Sequence, residues 1–189
     1  MSESIRSFLA FDIESDQVKE ELARVQMLLV QTGADLKLVE TENIHITIRF
    51  LGNITPNMID RIYDKMKTVQ FNPFNIQIKG IGAFPNINYP RVVWAGIAEG
   101  ANQLRDVFSQ LEAKLSQLGL PPDPKGFTAH LTIARVKSGR NKMQLAEFLA
   151  DKANYEFGSI KGDCLRLKQS DLTPKGPVYS TLREFCPSS

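Results

Sequence analysis

Laid over itself with Arg6 on Arg91, the chain repeats its own order of elements. The two arginines each head a β-prone run, and Phe8 and Ala10 fall on Val93 and Ala95. IHITIRF (44–50) lies over AHLTIAR (129–135), so His45 meets His130 and Thr47 meets Thr132. A helical pattern ending at Gly33 falls on one ending at Leu118, and a helix starting near Pro56 on one starting near Asn141. The spacing from Arg6 to His45 equals that from Arg91 to His130, without a gap. A strand, a helix, an HxT motif and a second helix in one order at one offset predict two related lobes. Duplicated lobes commonly pack about a pseudo-twofold axis, which brings equivalent strands together.

The local patterns fill this frame. Residues 5–13 are β-branched and aromatic and read as a strand. Ser15 and Asp16 can cap a helix whose apolar face is Val18, Leu22, Val25 and Leu29. Strands are expected at 36–40, 44–52, 74–81, 91–98 and 129–136, and near 154–161, 163–171 and 177–185. Thr55-Pro56 has the form of an N-cap followed by proline at the first helical position. Further helices are expected at 102–118 and 142–151, with the proline-rich 120–126 as a loop. The fold class is α+β: two antiparallel sheets facing a central cleft, with helices outside.

Composition sets limits on function. A chain of 189 residues with 42% hydrophobic and 23% charged residues is globular in character. Its apolar runs fall far short of the ~20 residues needed to cross a bilayer. MSESIRSFLAFDIES lacks the basic segment and long apolar core of a signal peptide, so no membrane partner and a cytoplasmic location are expected. A net charge of +2 is low for a general double-stranded DNA binder, but not for a protein that grips one phosphate or a strand end. Cys164 and Cys186 lie far apart with no export signal, and are expected as two reduced thiols.

Chemistry concentrates on the repeated motif. Residues i and i+2 of a strand share a face, so His45 stands beside Thr47 and His130 beside Thr132. Ile44, Ile46 and Ile48, with Leu131 and Ile133, point the other way, into a core. If the lobes pair, two imidazoles and two hydroxyls converge. An imidazole exchanges protons near neutral pH, so one can act as base while the other acts as acid. Threonine hydroxyls donate to anionic oxygens. The set suits a phosphate diester, with the histidines flanking the entering and leaving groups. Arginine would complete it, because its fork matches phosphate geometry. By parity Arg49 lies on the His45 face, whereas Arg135 lies on the face opposite His130 unless the strand bulges or ends.

Blander readings compete. A lone strand histidine is usually structural, but these are the chain's only two, in matched settings. Zinc would need further ligands, and neither motif supplies a carboxylate or cysteine. Trp94 and Phe84 suit core or loop packing better than base stacking. The basic run KSGRNK (137–142) reads as a solvated loop placed directly after the second motif. No Walker loop is present, and KGIGAF (79–84) lacks the third glycine of a dinucleotide fingerprint.

HITI (45–48) and HLTI (130–133) resemble the paired HxTx motifs of the 2H phosphoesterases, in particular the RNA 2′,3′-cyclic phosphodiesterases, also called 2′-5′ RNA ligases. The resemblance extends through RSFLAFDI, HITIRFLGNI, GAFPNINYPRVVWAGI, KGFTAHLTIARV and LKQSDLTPKGPVYSTLREF. It implies one 2H phosphoesterase domain over 1–189 with two interleaved lobes, acting as a monomer without cofactor or metal. The activity it implies is hydrolysis of a terminal RNA 2′,3′-cyclic phosphate to a 2′-phosphomonoester, with no role for DNA; tRNA fragments are among the implied substrates. His45 would be the proton donor to the departing 3′ oxygen and His130 the proton acceptor that activates water. Thr47, Thr132 and Arg135 would bind phosphate oxygens, and Arg49 stands where members vary. Two readings stay open beside it: joining of cyclic-phosphate and 5′-hydroxyl RNA ends, and an RNA-end binding protein whose histidines only contact phosphate.

Overall fold

The computed structural model describes residues 3–188. Its elements run β1 (Ile5–Asp12), α1 (Asp16–Gln31), β2 (Leu36–Leu38), β3 (His45–Ile54), α2 (Pro56–Met66), β4 (Phe74–Phe84), β5 (Val92–Ile97), α3 (Ala101–Ser116), β6 (His130–Val136), α4 (Lys142–Asp151), β7 (Glu156–Gly162), β8 (Leu165–Thr173) and β9 (Gly176–Phe185). No described helix is long and apolar enough to cross a membrane. The helices start where local chemistry allows. Ser15 Oγ accepts from Val18 N at 3.3 Å, and Pro56 occupies the first turn of α2. Helix α3 begins one residue before Asn102, after Gly100 in a left-handed conformation (φ 93°). A Cβ there would also stand 2.6 Å from Asn75 O, so only glycine fits.

Two antiparallel sheets form, ordered β3-β1-β8-β9 and β2-β6-β5-β4-β7. Under the sequence repeat β3 and β1 fall on β6 and β5, and β8 and β4 take the same third place in the orders β3-β1-β8 and β6-β5-β4. The halves exchange material to achieve this: β4 leaves the first half for the sheet of the second, and β8 returns to the sheet of the first. Helices cross as well. α1 follows β1 yet packs on β7 and β6, while α3 follows β5 yet packs on β3. The buried Gln26 fixes α1 there, its Nε2 donating to Val39 O (2.7 Å) and Ile133 O (2.9 Å).

The sheets meet where β3 contacts β6. On both strands the aliphatic positions are sealed: Ile46, Leu131 and Ile133 are fully buried and Ile48 nearly so. Each fully buried side chain of this size contributes about 1.5–3 kcal/mol. The alternate positions, occupied by His45, Thr47, His130 and Thr132, are only half-buried and face the space between the sheets.

Two expectations are corrected. Cys164 and Cys186 form a disulfide rather than two thiols. The β8–β9 hairpin explains it: Leu165 pairs with Phe185, so the next residues outward stand directly opposite, with Cα atoms 4.2 Å apart. Sequence separation hides a cross-strand neighbour. Arg49 does not share the face of His45. It is buried on the core side, paired with Glu112 and donating to Phe50 O and Pro121 O. A β-bulge reverses its direction, as the site geometry makes plain.

Candidate active site

β1 pairs Ala10 with Thr47 but Leu9 with Arg49, leaving Ile48 as an extra residue in β3. β5 pairs Trp94 with Thr132 but Val93 with Ala134, leaving Ile133 as an extra residue in β6. The two bulges fall at equivalent points of the sequence repeat. Each inverts the alternation beyond it. Arg49 and its counterpart Ala134 turn into the core, while Phe50 and its counterpart Arg135 turn into the cleft. The conditional attached to Arg135 is thereby met.

The cleft has a volume of about 160 Å³. His45, Thr47, His130, Thr132 and Arg135 all line it, together with Arg6, Asn43, Phe50 and Tyr179. Sequence reasoning misses those last four as site residues. Arg6 carries a signal, the common arginine-to-histidine spacing, and Tyr179 lies within the C-terminal stretch that resembles the 2H family. Trp94 packs over Gly82 and against Phe84 (5.5 Å between ring centroids) and does not line the cleft. The KSGRNK run is tied to the end of α1, with Arg140 Nε donating to Gly33 O at 3.1 Å and Asn141 Nδ2 to Thr32 O at 3.2 Å.

The two imidazoles are held alike. His45 Nδ1 is 2.7 Å from Asn43 O, and His130 Nδ1 is 2.7 Å from Thr128 O. A carbonyl only accepts, so each Nδ1 carries a proton and each Nε2 is left for the cleft. His45 Nε2 lies 2.7 Å from Thr47 Oγ1, whereas His130 Nε2 has no protein partner among the described residues. The accepting carbonyls sit two residues before each histidine, at equivalent positions. Aromatic rings brace both: Phe8 and Tyr179 against His45 (4.8 and 5.3 Å), Phe84 edge-on to His130 (5.0 Å).

Burial lowers the pKa of both histidines below the ordinary 6.5, partly opposed by the two carbonyl hydrogen bonds. Asp12 also opposes the fall at His45, whereas Lys168 and His130 deepen it. Asp12 is itself engaged by Lys168 Nζ at 2.9 Å. Burial raises the Tyr179 phenol, against the pull of Arg135 and Arg6, so it is a neutral donor at pH 7. No carboxylate lines the cleft among the described residues, and two guanidinium groups do. Such a site attracts an anion with tetrahedral oxygens and disfavours a divalent cation. The cluster Cys164, Glu184 and Cys186 cannot hold a metal through sulfur, because both thiols are consumed in the disulfide.

A family model described as LigT like phosphoesterase matches residues 13–94 and again 96–179, one match in each half. The chain belongs to the LigT-like phosphoesterases. A protein of Aeropyrum pernix named RNA 2′,3′-cyclic phosphodiesterase is 40% identical over 163 residues, covering 86% of this chain and 93% of the relative. Proteins of the same name from Archaeoglobus fulgidus and Methanocaldococcus jannaschii are 40% and 38% identical, each over 96% of this chain and 99–100% of the relative. Among solved structures, Escherichia coli LigT complexed with 3′-AMP superposes with a TM-score of 0.81 at 18% identity, covering 99% of this chain and all of that one. A Thermus thermophilus protein superposes with a TM-score of 0.75 at 28% identity, over 96% and 97% of the two chains. The LigT-like fold is thus shared along essentially the whole length.

Proposed function

We propose that this LigT-like phosphoesterase hydrolyses the 2′,3′-cyclic phosphate at an RNA end to a 2′-phosphomonoester. The observation that carries the reading is the pair of equivalent imidazoles, each with Nδ1 anchored to a carbonyl and Nε2 directed into a cleft lined by hydroxyls and guanidinium groups. The names of the A. pernix, A. fulgidus and M. jannaschii relatives support the same substrate.

His130 acts as base. Its Nε2 takes a proton from water as the water oxygen bonds to phosphorus. The bond from phosphorus to the 3′ oxygen breaks, and His45, as imidazolium, gives its Nε2 proton to that oxygen. Nδ1–H of each ring stays on its carbonyl, so neither ring rotates during transfer. Thr47, Thr132 and Arg135 hold the nonbridging oxygens and the charge that grows on them. The lowered pKa of His130 keeps it neutral and ready, while the bound phosphate anion restores proton affinity to His45.

The donor set favours a reaction without a metal, since guanidinium groups rather than carboxylates line the cleft between the histidines. The cyclic ester requires a 2′-hydroxyl, which restricts the substrate to RNA and leaves DNA out. All the groups come from one chain, which fits action as a monomer, and the reading includes the cytoplasm as its setting.

End-group analysis tests the proposal. A short RNA with a 2′,3′-cyclic phosphate should yield a 2′-monophosphate end, with the rate unchanged by EDTA. A 3′-monophosphate product, no conversion, or loss of activity in EDTA would overturn it.

A further inference from the structure

The basic run 137–142 has no part in the reaction described so far, yet it starts where the cleft ends. Arg135 lines the cleft and lies opposite Lys37 across the β2–β6 ladder. The ladder runs on past Val136, with Lys137 N donating to Asp35 O at 2.8 Å. Lys37 and Lys137 therefore stand on the face that Arg135 presents to the cleft, one as its cross-strand neighbour and one two residues further on. Both are exposed.

Lys137 also lines a separate hollow of about 340 Å³, together with Tyr89, Arg91 and Lys142. Both walls of this hollow begin at the active site. One is the segment that follows Arg135. The other is the loop that leads from Phe84, whose ring braces His130, to Arg91. Both walls are tied down. Asn86 Oδ1 accepts from Asn88 N and Tyr89 N, each at 3.0 Å, and Arg91 N donates to Phe84 O at 2.8 Å. The run 137–142 hangs on the end of α1 through Arg140 and Asn141. Lys142 Nζ sits 4.9 Å from the centre of the Tyr89 ring, a cation–π contact that keeps the ammonium at the hollow. No carboxylate lines the hollow among the described residues, and Asp35, opposite Lys137 in the ladder, lies 4.0 Å from Arg140. Three positive charges thus share one hollow with no negative partner in it, in a chain whose net charge is only +2. Such a concentration of one sign suits a polyanion.

We infer that this hollow is a second phosphate site, which holds the sugar–phosphate backbone of the nucleotides that precede the cyclic end. The inference rests on the phosphodiesterase reading above and adds a strand-binding site to it. The cleft takes the reacting phosphate, Lys37 lies on the way, and Arg91, Lys137 and Lys142 take backbone phosphates. Phosphate contacts position a strand without reading its bases. The site therefore selects for chain length rather than sequence, and favours the end of an RNA strand over a free cyclic mononucleotide.

Comparing a tetra-adenylate ending in a 2′,3′-cyclic phosphate with adenosine 2′,3′-cyclic phosphate tests this. The wild-type protein should favour the tetranucleotide in kcat/KM by about 10-fold or more at low salt. Its log kcat/KM should also fall with log salt more steeply, by about 2 for three phosphate contacts at about 0.7 each on a single strand. In Lys137→Ala/Lys142→Ala the tetranucleotide advantage should fall towards one and the extra salt slope should shrink. Lys137→Arg/Lys142→Arg should keep both. All of these side chains are exposed, so the variants keep the fold. A wild-type ratio near one, or an advantage that survives Lys137→Ala/Lys142→Ala, overturns the second phosphate site while leaving the phosphodiesterase reading intact. Failure of the wild-type protein to hydrolyse either substrate overturns the phosphodiesterase reading and the second site with it.

Discussion

Arg135 and Phe50 occupy one and the same position of a duplicated strand, and both reach the cleft because a bulge precedes each. Without the bulge at Ile133, strand alternation would bury Arg135. The guanidinium then has one task, to meet phosphate oxygens. Charge-assisted hydrogen bonds of this kind contribute about 1.5–3 kcal/mol. Arg135→Ala should lower kcat/KM on a cyclic-phosphate RNA by about 10- to 100-fold, and Arg135→Lys should recover part of the loss. Steady-state kinetics checks it; an unchanged kcat/KM would remove Arg135 from the site.

Arg49 gives the opposite expectation. Its side chain is 8% exposed and its partner Glu112 21%. Removing one member of such a buried pair costs about 3 kcal/mol. Arg49→Ala should lower the midpoint of chemical denaturation, while turnover well below the unfolding transition stays close to wild type. Lost turnover at unchanged stability would return Arg49 to the catalytic set.

The pH dependence follows from the two lowered histidines. The productive free enzyme has one imidazole protonated and the other neutral. Both pKa values lie below 6.5, so this form becomes scarce as pH rises above them. kcat/KM should therefore be bell-shaped and fall on the alkaline side starting below pH 6.5, whichever histidine is the acid. In the bound state the phosphate charge raises the acid, so the alkaline limb of kcat should lie at higher pH. A kcat/KM that climbs to a plateau above pH 7 contradicts this. Stability has its own sign. With folded pKa values below the unfolded 6.5, the unfolded chain takes up protons first, so stability is full above pH 6.5 and erodes as pH falls towards the folded values. Replacing His45 with Asn should lessen that erosion.

The disulfide ties the open end of the β8–β9 hairpin across a separation of 22 residues. Closing a loop of this size contributes about 3 kcal/mol. Thiol reduction, or replacement of both cysteines with serine, should lower stability by about that much. The cleft should keep its activity, because neither cysteine lines it. Equal stability of the reduced and oxidised chains would contradict this.

Periodicity and the internal repeat make much of this molecule legible. The apolar face of α1, the Thr55-Pro56 start of α2 and the extent of α4 are local matters, set by spacing and by near neighbours in the chain. The facing of His45, Thr47, His130 and Thr132 follows from strand parity, and the 2H resemblance supplies the family. What stays hidden is non-local. Parity assumes a regular ladder, and the bulges at Ile48 and Ile133 depend on how β1 and β5 pair with their neighbours. That is why parity alone puts Arg49 on the wrong face and misses Phe50. Tyr179 reaches the cleft only because β9 completes a sheet begun by β3 and β1. The Cys164–Cys186 bond needs the register of β8 against β9, which no spacing reveals.

The most direct test of the two-histidine account is single-turnover hydrolysis of a 2′,3′-cyclic-phosphate RNA by the wild-type chain, His45→Ala and His130→Ala. General acid and general base catalysis each contribute about 10²- to 10⁴-fold. Each variant should therefore lose at least a hundredfold in the chemical step while still binding the RNA end. Near-wild-type hydrolysis by either variant would contradict an acid and a base supplied by the two halves.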